Sequence, residues 1–315
     1  MKAALLPLSA TLALATLAPE TNAFELKRVT ELRREWISPE AQLVLHFDFE
    51  SFQKTSIWKL LQENSDDWEM DELDEFRTEF GIDPFNDLKS FTAYSKSDEP
   101  DDGVALLHGS GNLEQALKRI QEEKEYSQIA VDGFDLHVWT EHGRQEAVAY
   151  IHEMAGGDKV VVLSDTEANT IEAARIVRGD LPNHKSGNGG LPITPQTGSF
   201  FYLSTASIPG IDDLPPASRI AGLTKNIHID IGETQGNLGI SVSAVADSPE
   251  DAVQASKMIE GFKALGYFAA QELGITNMLE AIQVNTRGSQ ILIDFSYNVQ
   301  ALVDEIQELK EEHNF

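Results

Sequence analysis

Residues 179–199, GDLPNHKSGNGGLPITPQTGS, hold five glycines and three prolines and show no apolar periodicity. A stretch of this kind cannot continue a helix or a central strand, so it reads as a connection and cuts the chain in two. The same order of elements stands on both sides of the cut. The first side opens with an alternating strand, Gln42 to Phe49, and the second with Ser199 to Ser204. Lys89–Tyr94 and Val104–His108 flank a polar turn at Asp101-Asp102-Gly103. Lys225–Ile231 and Leu238–Val245 flank one at Gln235-Gly236-Asn237. Each pair has the period-2 pattern of a hairpin. A helix follows each, over 111–123 and 248–271, and the second has a clear start in Ser248-Pro249-Glu250-Asp251. These four supply an N-cap, a proline at the first helical position and first-turn acids. The sides also close alike. Strand Lys159–Leu163 leads to a helix near Glu167–Val177, and strand Gln290–Phe295 to a helix ending near Glu311. In that last helix Val299, Leu302, Val303, Ile306 and Leu309 form one apolar face.

Antiparallel hairpins backed by helices on one face make an α+β fold, here expected as two tandem copies of a related unit. Two stretches fall outside the shared plan. Residues 24–36 place Phe24, Val29, Leu32 and Trp36 at helical spacing. Residues 56–80 read as two short helices, the second with Trp68, Leu73, Phe76 and Phe80 on one face and acids on the other.

Residues 1–23, MKAALLPLSATLALATLAPETNA, have the three parts of a secretory signal: a basic start at Lys2, an apolar stretch, and small residues Thr21 and Ala23 before a cut. The apolar stretch is short of the ~20 residues that span a bilayer, so removal is expected rather than anchoring. The expected organisation is a signal peptide at 1–23, a first α+β domain at 24–178, a Gly/Pro-rich linker at 179–198 and a second α+β domain at 199–315. The location that follows is the periplasm or the cell exterior.

Twenty-four Lys+Arg against 52 Asp+Glu give a net charge of −28. A field of that sign repels phosphates, so neither nucleic acid nor an anionic membrane surface is an expected partner, and a basic protein is. The chain has no cysteine. Disulfides, thiol catalysis and Cys-ligated metals are thereby excluded, and stability must come from core burial.

The segment Phe80-Gly81-Ile82-Asp83-Pro84-Phe85-Asn86-Asp87-Leu88-Lys89-Ser90 has a plain structural logic. Gly81 ends a helix, Ile82 enters the core, Asp83-Pro84 sets a turn, and Asp87-Leu88 starts the next element. This segment resembles one in uncharacterised exported bacterial proteins, where a GIDP-x-x-DL run joins an early helix to a strand. The resemblance covers about ten residues. It implies export and carries no known activity.

Catalytic signatures are absent from the sequence. There is no G-x-S-x-G, no P-loop, no dinucleotide fingerprint and no H-E-x-x-H; His152-Glu153 lacks the second histidine. Asp98-Glu99-Pro100-Asp101-Asp102-Gly103 lacks the spacing of a calcium loop. The candidate ligand-binding residues come from strand periodicity. Side chains two apart share a face, which groups His46, Asp48 and Glu50 opposite Leu45, Phe47 and Phe49, and groups His228 with Asp230. A His-x-Asp pair offers two ligands of the kind zinc or manganese takes. The plainer reading is the solvated face of a sheet whose other face packs on helices. His137, His142 and His152, near an expected hairpin, have the same plain reading. Trp36, Trp58 and Trp68 stand in expected helices with apolar neighbours, a core use rather than a sugar platform.

No catalytic residue, metal or cofactor is assigned. The first reading is an exported, acidic, non-enzymatic interaction or structural module of the cell envelope. The alternatives are a metal-assisted or acid–base hydrolase using His46, Asp48 and Glu50, or a small-ligand carrier with a pocket around the linker.

Overall fold

The computed structural model describes residues 32–63, 81–97, 102–110, 125–141, 144–186, 190–196, 198–206 and 222–313, with single residues and pairs between them. The expected signal peptide, the helix over 68–80 apart from Arg77 and Thr78, most of the helix over 111–123, and His142 lie outside the described residues. So does most of the stretch 24–36, of which the described end is a single helical turn at Arg34–Trp36.

The first side of the chain gives β1 (Leu43–Asp48), α1 (Phe49–Phe52), α2 (Ser56–Glu63), α3 (Pro84–Asp87), β2 (Leu88–Ser95), β3 (Gly103–Gly109), β4 (Tyr126–Val131), β5 (Phe134–Glu141), β6 (Arg144–Glu153), β7 (Lys159–Ser164) and α4 (Glu167–Arg178). The second gives β8 (Ser199–Thr205), β9 (Thr224–Thr234), β10 (Asn237–Ala246), α5 (Pro249–Glu272), α6 (Thr276–Glu280), β11 (Gln283–Arg287), β12 (Gln290–Asn298) and α7 (Val299–His313). The fold is α+β, and the described strands of each side pair antiparallel with their neighbours on that side. No described helix is long and apolar enough to cross a membrane.

Two compact units emerge. One comprises Glu31–Gln53 with Asn64–Thr194; the other contains Lys54–Glu63 with Pro195–Phe315. In the first unit the strands lie in the order β1-β2-β3-β7-β6-β5-β4, and in the second β8-β9-β10-β12-β11. Taken strand by strand, β1, β2, β3, β7 and β6 match β8, β9, β10, β12 and β11. A helix follows the fourth strand of each series, α4 and α7. The hairpin β4–β5 is the first unit's addition.

Local chemistry explains the element starts. Thr166 caps α4 by accepting from Asn169 N (3.2 Å), and Ser248 caps α5 by accepting from Asp251 N (3.1 Å). In the GIDP segment, Gly81 takes φ +68° and its N–H donates to Arg77 O, ending that helical turn. Asp83 then accepts from Phe85 N (2.9 Å), and Asp87 accepts from Asp83 N (2.8 Å), so two carboxylates close α3 reciprocally. Ile82 and Leu88 flank it in the core with Leu113, Trp139, Ala149 and Val161.

The strands of the first unit are covered on both faces. One face joins that cluster. The other carries Phe134, Leu136, Val138 and Val148 against Ile171 and Ala174 of α4. In the second unit the face bearing Ala246 and Ile291 meets Ala252 and Ala255 of α5, where alanines let the helix approach the strands closely.

Two expectations about the division of the chain meet a different arrangement. Part of 179–198 is built into the first unit: His184 N donates to Ile37 O (2.8 Å), and Leu191 and Ile193 are buried. Helix α2, read from sequence as part of the first domain, belongs to the second unit. The carboxylate of Glu233 on β9 caps it, accepting from Ser56 N (2.7 Å) and Ile57 N (3.1 Å).

Candidate functional site

His46 and Asp48 do share a face of β1, as their spacing requires. It is the interior face: the strand alternates with Val44, His46 and Asp48 buried and Leu43, Leu45 and Phe47 only partly so. The solvated-face reading fails here because both sides of this sheet are covered, and alternation alone does not say which side is covered better. Glu50 leaves the set. The strand ends at Asp48, which turns its carboxylate onto the start of α1 and accepts from Ser51 N (2.8 Å) and Ser51 Oγ (2.6 Å). Glu50 therefore sits on a helix, partly exposed, and Asp48 has become a cap.

His46 lies opposite Thr92 in the β1–β2 register and pairs with it, Nδ1 to Oγ1 at 2.8 Å. Its Nε2 is buried with no hydrogen-bond partner. Burial pushes the imidazole down to about 4, against the opposing pull of the Asp48 charge. Ser90, Thr92 and His108 continue the buried polar set onto β2 and β3. His108 stands edge-on to Trp36, ring centres 5.3 Å apart, and its Nε2 lies 3.6 Å from Asp158 Oδ2. That same oxygen accepts from Lys89 Nζ (2.6 Å), and this bond holds the Asp158 carboxyl below its usual range.

The second pair repeats the pattern in the second unit. His228 and Asp230 share a face of β9, where His228 lies opposite Ser204 of β8, Nδ1 to Oγ at 2.8 Å. Each unit thus has a histidine–hydroxyl pair across its first two strands, with the histidine on the first strand in one and on the second in the other. Asp230 is 5% exposed and accepts from Ser199 Oγ (2.9 Å) and Gln196 N (3.1 Å). Burial nonetheless pushes its carboxyl up to about 6. Burial also lowers the His228 imidazole.

His137 is buried beside Trp139 and pairs through Nδ1 with the Tyr126 hydroxyl at 2.8 Å. His152 is partly exposed, and burial lowers its imidazole. Trp36 is buried against the first sheet and Trp58 is partly buried in α2; Trp68 lies outside the described residues. Among the described residues no three His, Asp or Glu side chains gather as a metal ion would require. The arrangement around His46 and Asp230 is suited to holding strands in register and starting helices. It offers a proton-binding group in each unit rather than a set of convergent ligands.

The chain matches no family model and no curated protein. Among solved structures it is similar to crystal form IV of TP0453, at 11% identity and a TM-score of 0.46, covering 87% of this chain and 95% of that one. Crystal form I of TP0453 gives 11% identity and a TM-score of 0.45, over 90% and 99%. A likeness at this level does not establish a common fold.

Proposed function

We propose that the protein is an exported, acidic, non-enzymatic interaction module of the cell envelope that recognises basic protein surfaces. The observation that carries this reading is the disposition of ionisable groups. The histidine and aspartate pairs that had suggested chemistry are taken up inside the sheets, as caps and cross-strand pairs. The excess of acids over bases supplies a field suited to drawing in a cationic partner. The leader-like residues 1–23 and the GIDP segment support export.

The test is capture from envelope extract on the immobilised chain, followed by salt elution. We expect basic proteins to be retained at low salt and released at about 0.15–0.5 M, as screening shortens the reach of the field. If nothing retained is released by salt, the reading is lost. Mass spectrometry of protein recovered from expressing cells should give Phe24 as the first residue; an intact start at Met1 would remove the export component.

A further inference from the structure

Strand β4 ends the strand order of the first unit, with β5 on one side and no described strand on the other. One bond fixes which of its groups face the open side. Thr140 N donates to Glu125 O (3.1 Å), and Thr140 lies opposite Glu125 in the register that pairs Tyr126 with Trp139. Odd-numbered residues of the strand therefore bond to β5, and the N–H and C=O of Tyr126, Gln128 and Ala130 point away from it. Proteins blunt such an edge with charge, proline or a bulge. β4 has none of these: YSQIAV holds no charged residue and no proline, and its register with β5 runs without a shift. Ser127, Gln128 and Ala130 are exposed. The edge strand of the second unit is managed differently, since β11 is five residues long, ends on Arg287 and has α5 packed against it.

The chemistry of the edge selects its occupant. A row of unpaired backbone donors and acceptors is completed by an extended chain, and lipid does not accept one. An uncharged strand gives a basic surface nothing to pair with, which sets this edge apart from the basic-partner surface. A second copy of the strand, turned by a two-fold axis through Gln128, fits in backbone, side chains and charge. The outward groups stand at 126, 128 and 130, so the turned copy sets Gln128 opposite Gln128 and Tyr126 opposite Ala130 as bonded pairs. Large then faces small, Tyr126 against Ala130 and Ile129 against Ser127, and the two Gln128 amides bond each other. Glu125, the acid just before the strand, falls opposite Val131 rather than another acid. Asp132, just beyond it, is already held by Arg175 (3.2 Å). The pairing also covers Ile129 and Val131, which lie only partly buried at the margin of the core cluster that α4 closes.

We infer that β4 is the self-association edge of this protein, where two copies join antiparallel about Gln128. One strand from each side makes a contact at the small end of specific interfaces. The dimer is therefore concentration-dependent, with a dissociation constant of about 10–100 µM. Its long-range charge interaction is repulsive, since each copy carries −28. The inference is independent of the basic-partner reading, and salt acts on the two in opposite directions.

The experiment is sedimentation equilibrium of the chain as recovered from expressing cells, at about 5–200 µM and in about 0.05 and 0.5 M salt. A dimer should form, and should tighten at least about threefold at the higher salt as the repulsion is screened. Gln128→Pro removes the outward N–H at the axis and leaves the β5 ladder untouched, so it should weaken the dimer at least about tenfold. Gln128→Lys sets two cations opposite each other and should weaken it at least about fivefold, although it makes the chain less negative. Position 128 is exposed, so both variants should keep the wild-type thermal midpoint; if the proline variant fails to fold, Gln128→Lys decides. Amide exchange at 128 and 130 should slow as concentration rises, while 127 and 129, already bonded to β5, should change little. The inference is overturned by a monomer throughout the range, by a dimer that the folded variants leave intact, or by one that salt dissolves. It is also overturned if a basic protein held by the immobilised wild-type chain is lost from Gln128→Pro, which would give the edge to a strand of another protein. A monomer leaves the basic-partner reading standing, and loss of salt-sensitive capture with the dimer intact removes that reading alone.

Discussion

His46 contributes stability that depends on its staying neutral. An unfolded chain protonates this imidazole below its ordinary 6.5, whereas the folded chain resists until about 4. Between those values the unfolded state holds the extra proton, so stability falls as the solution is acidified, by about 3 kcal/mol in all. His46→Asn keeps an acceptor for the Thr92 hydroxyl near the place of Nδ1 and removes the titration. Its unfolding free energy, compared with wild type in urea at pH 7 and pH 4.5, should lose less on acidification. An equal loss in both proteins would rule out this source. Asp230 works in the opposite sense. Its carboxyl ionises near 3.8 when unfolded but near 6 when folded, so folding is penalised as pH rises through that window. Asp230→Asn should be more stable than wild type by about 1–3 kcal/mol at pH 7.5, with the difference vanishing below pH 4. A constant difference at both pH values would count against the assignment. The sequence placed both residues correctly in their strands and on shared faces. It could not say that the His46 face is interior, because the partner of His46 there, Thr92, lies 46 residues further along the chain. Nor did the periodicity reveal that β1 stops at Asp48; the Asp-x-x-Ser spacing of a cap was the available signal.

At the level of elements, local chemistry was legible and long-range seating was not. The ends of β7, α4, β10 and α5 follow from alternation, caps and the left-handed Gly179, and each lies within a few residues of its expected place. The seat of α2 does not, since its cap Glu233 lies 177 residues away from Ser56. Glu233→Ala should destabilise the chain by about 1–2 kcal/mol and raise amide exchange over 56–63 before other helices are affected. Uniform exchange with no early loss in this helix would contradict the capping role. Gly232, next to it on β9, is needed for a different reason. A Cβ there would stand 2.4 Å from Gly198 O, at the shift in register between Ser199 and Phe201. Gly232→Ala therefore forces backbone apart and should cost about 1–3 kcal/mol, read as a lowered urea midpoint with an unchanged slope.

For the molecule as a whole, the strands of the two units follow like orders, β1-β2-β3-β7-β6 in one and β8-β9-β10-β12-β11 in the other. That much was available because hairpins and helix-backed strands are set by nearest neighbours in sequence. The exposure of Phe262, Leu265 and Phe268 on α5 escaped the sequence reading because the side of the helix that meets the sheet is taken by Ala252 and Ala255. Each unit also has its own buried titrating group, and the two have opposite signs. Acid should therefore work against the fold through His46 in one unit and in its favour through Asp230 in the other, there opposed by the lowered His228 imidazole.

The interlaced position of α2 bears on how the polypeptide is made. Synthesis runs from the N-terminus, so residues 56–63 leave the ribosome long before Glu233 has been translated. Eight residues are too few to keep a helical shape alone in water. This helix must wait, unshaped, until the C-terminal strands exist to receive it, and a nascent chain stopped short of β9 has no seat for it at all.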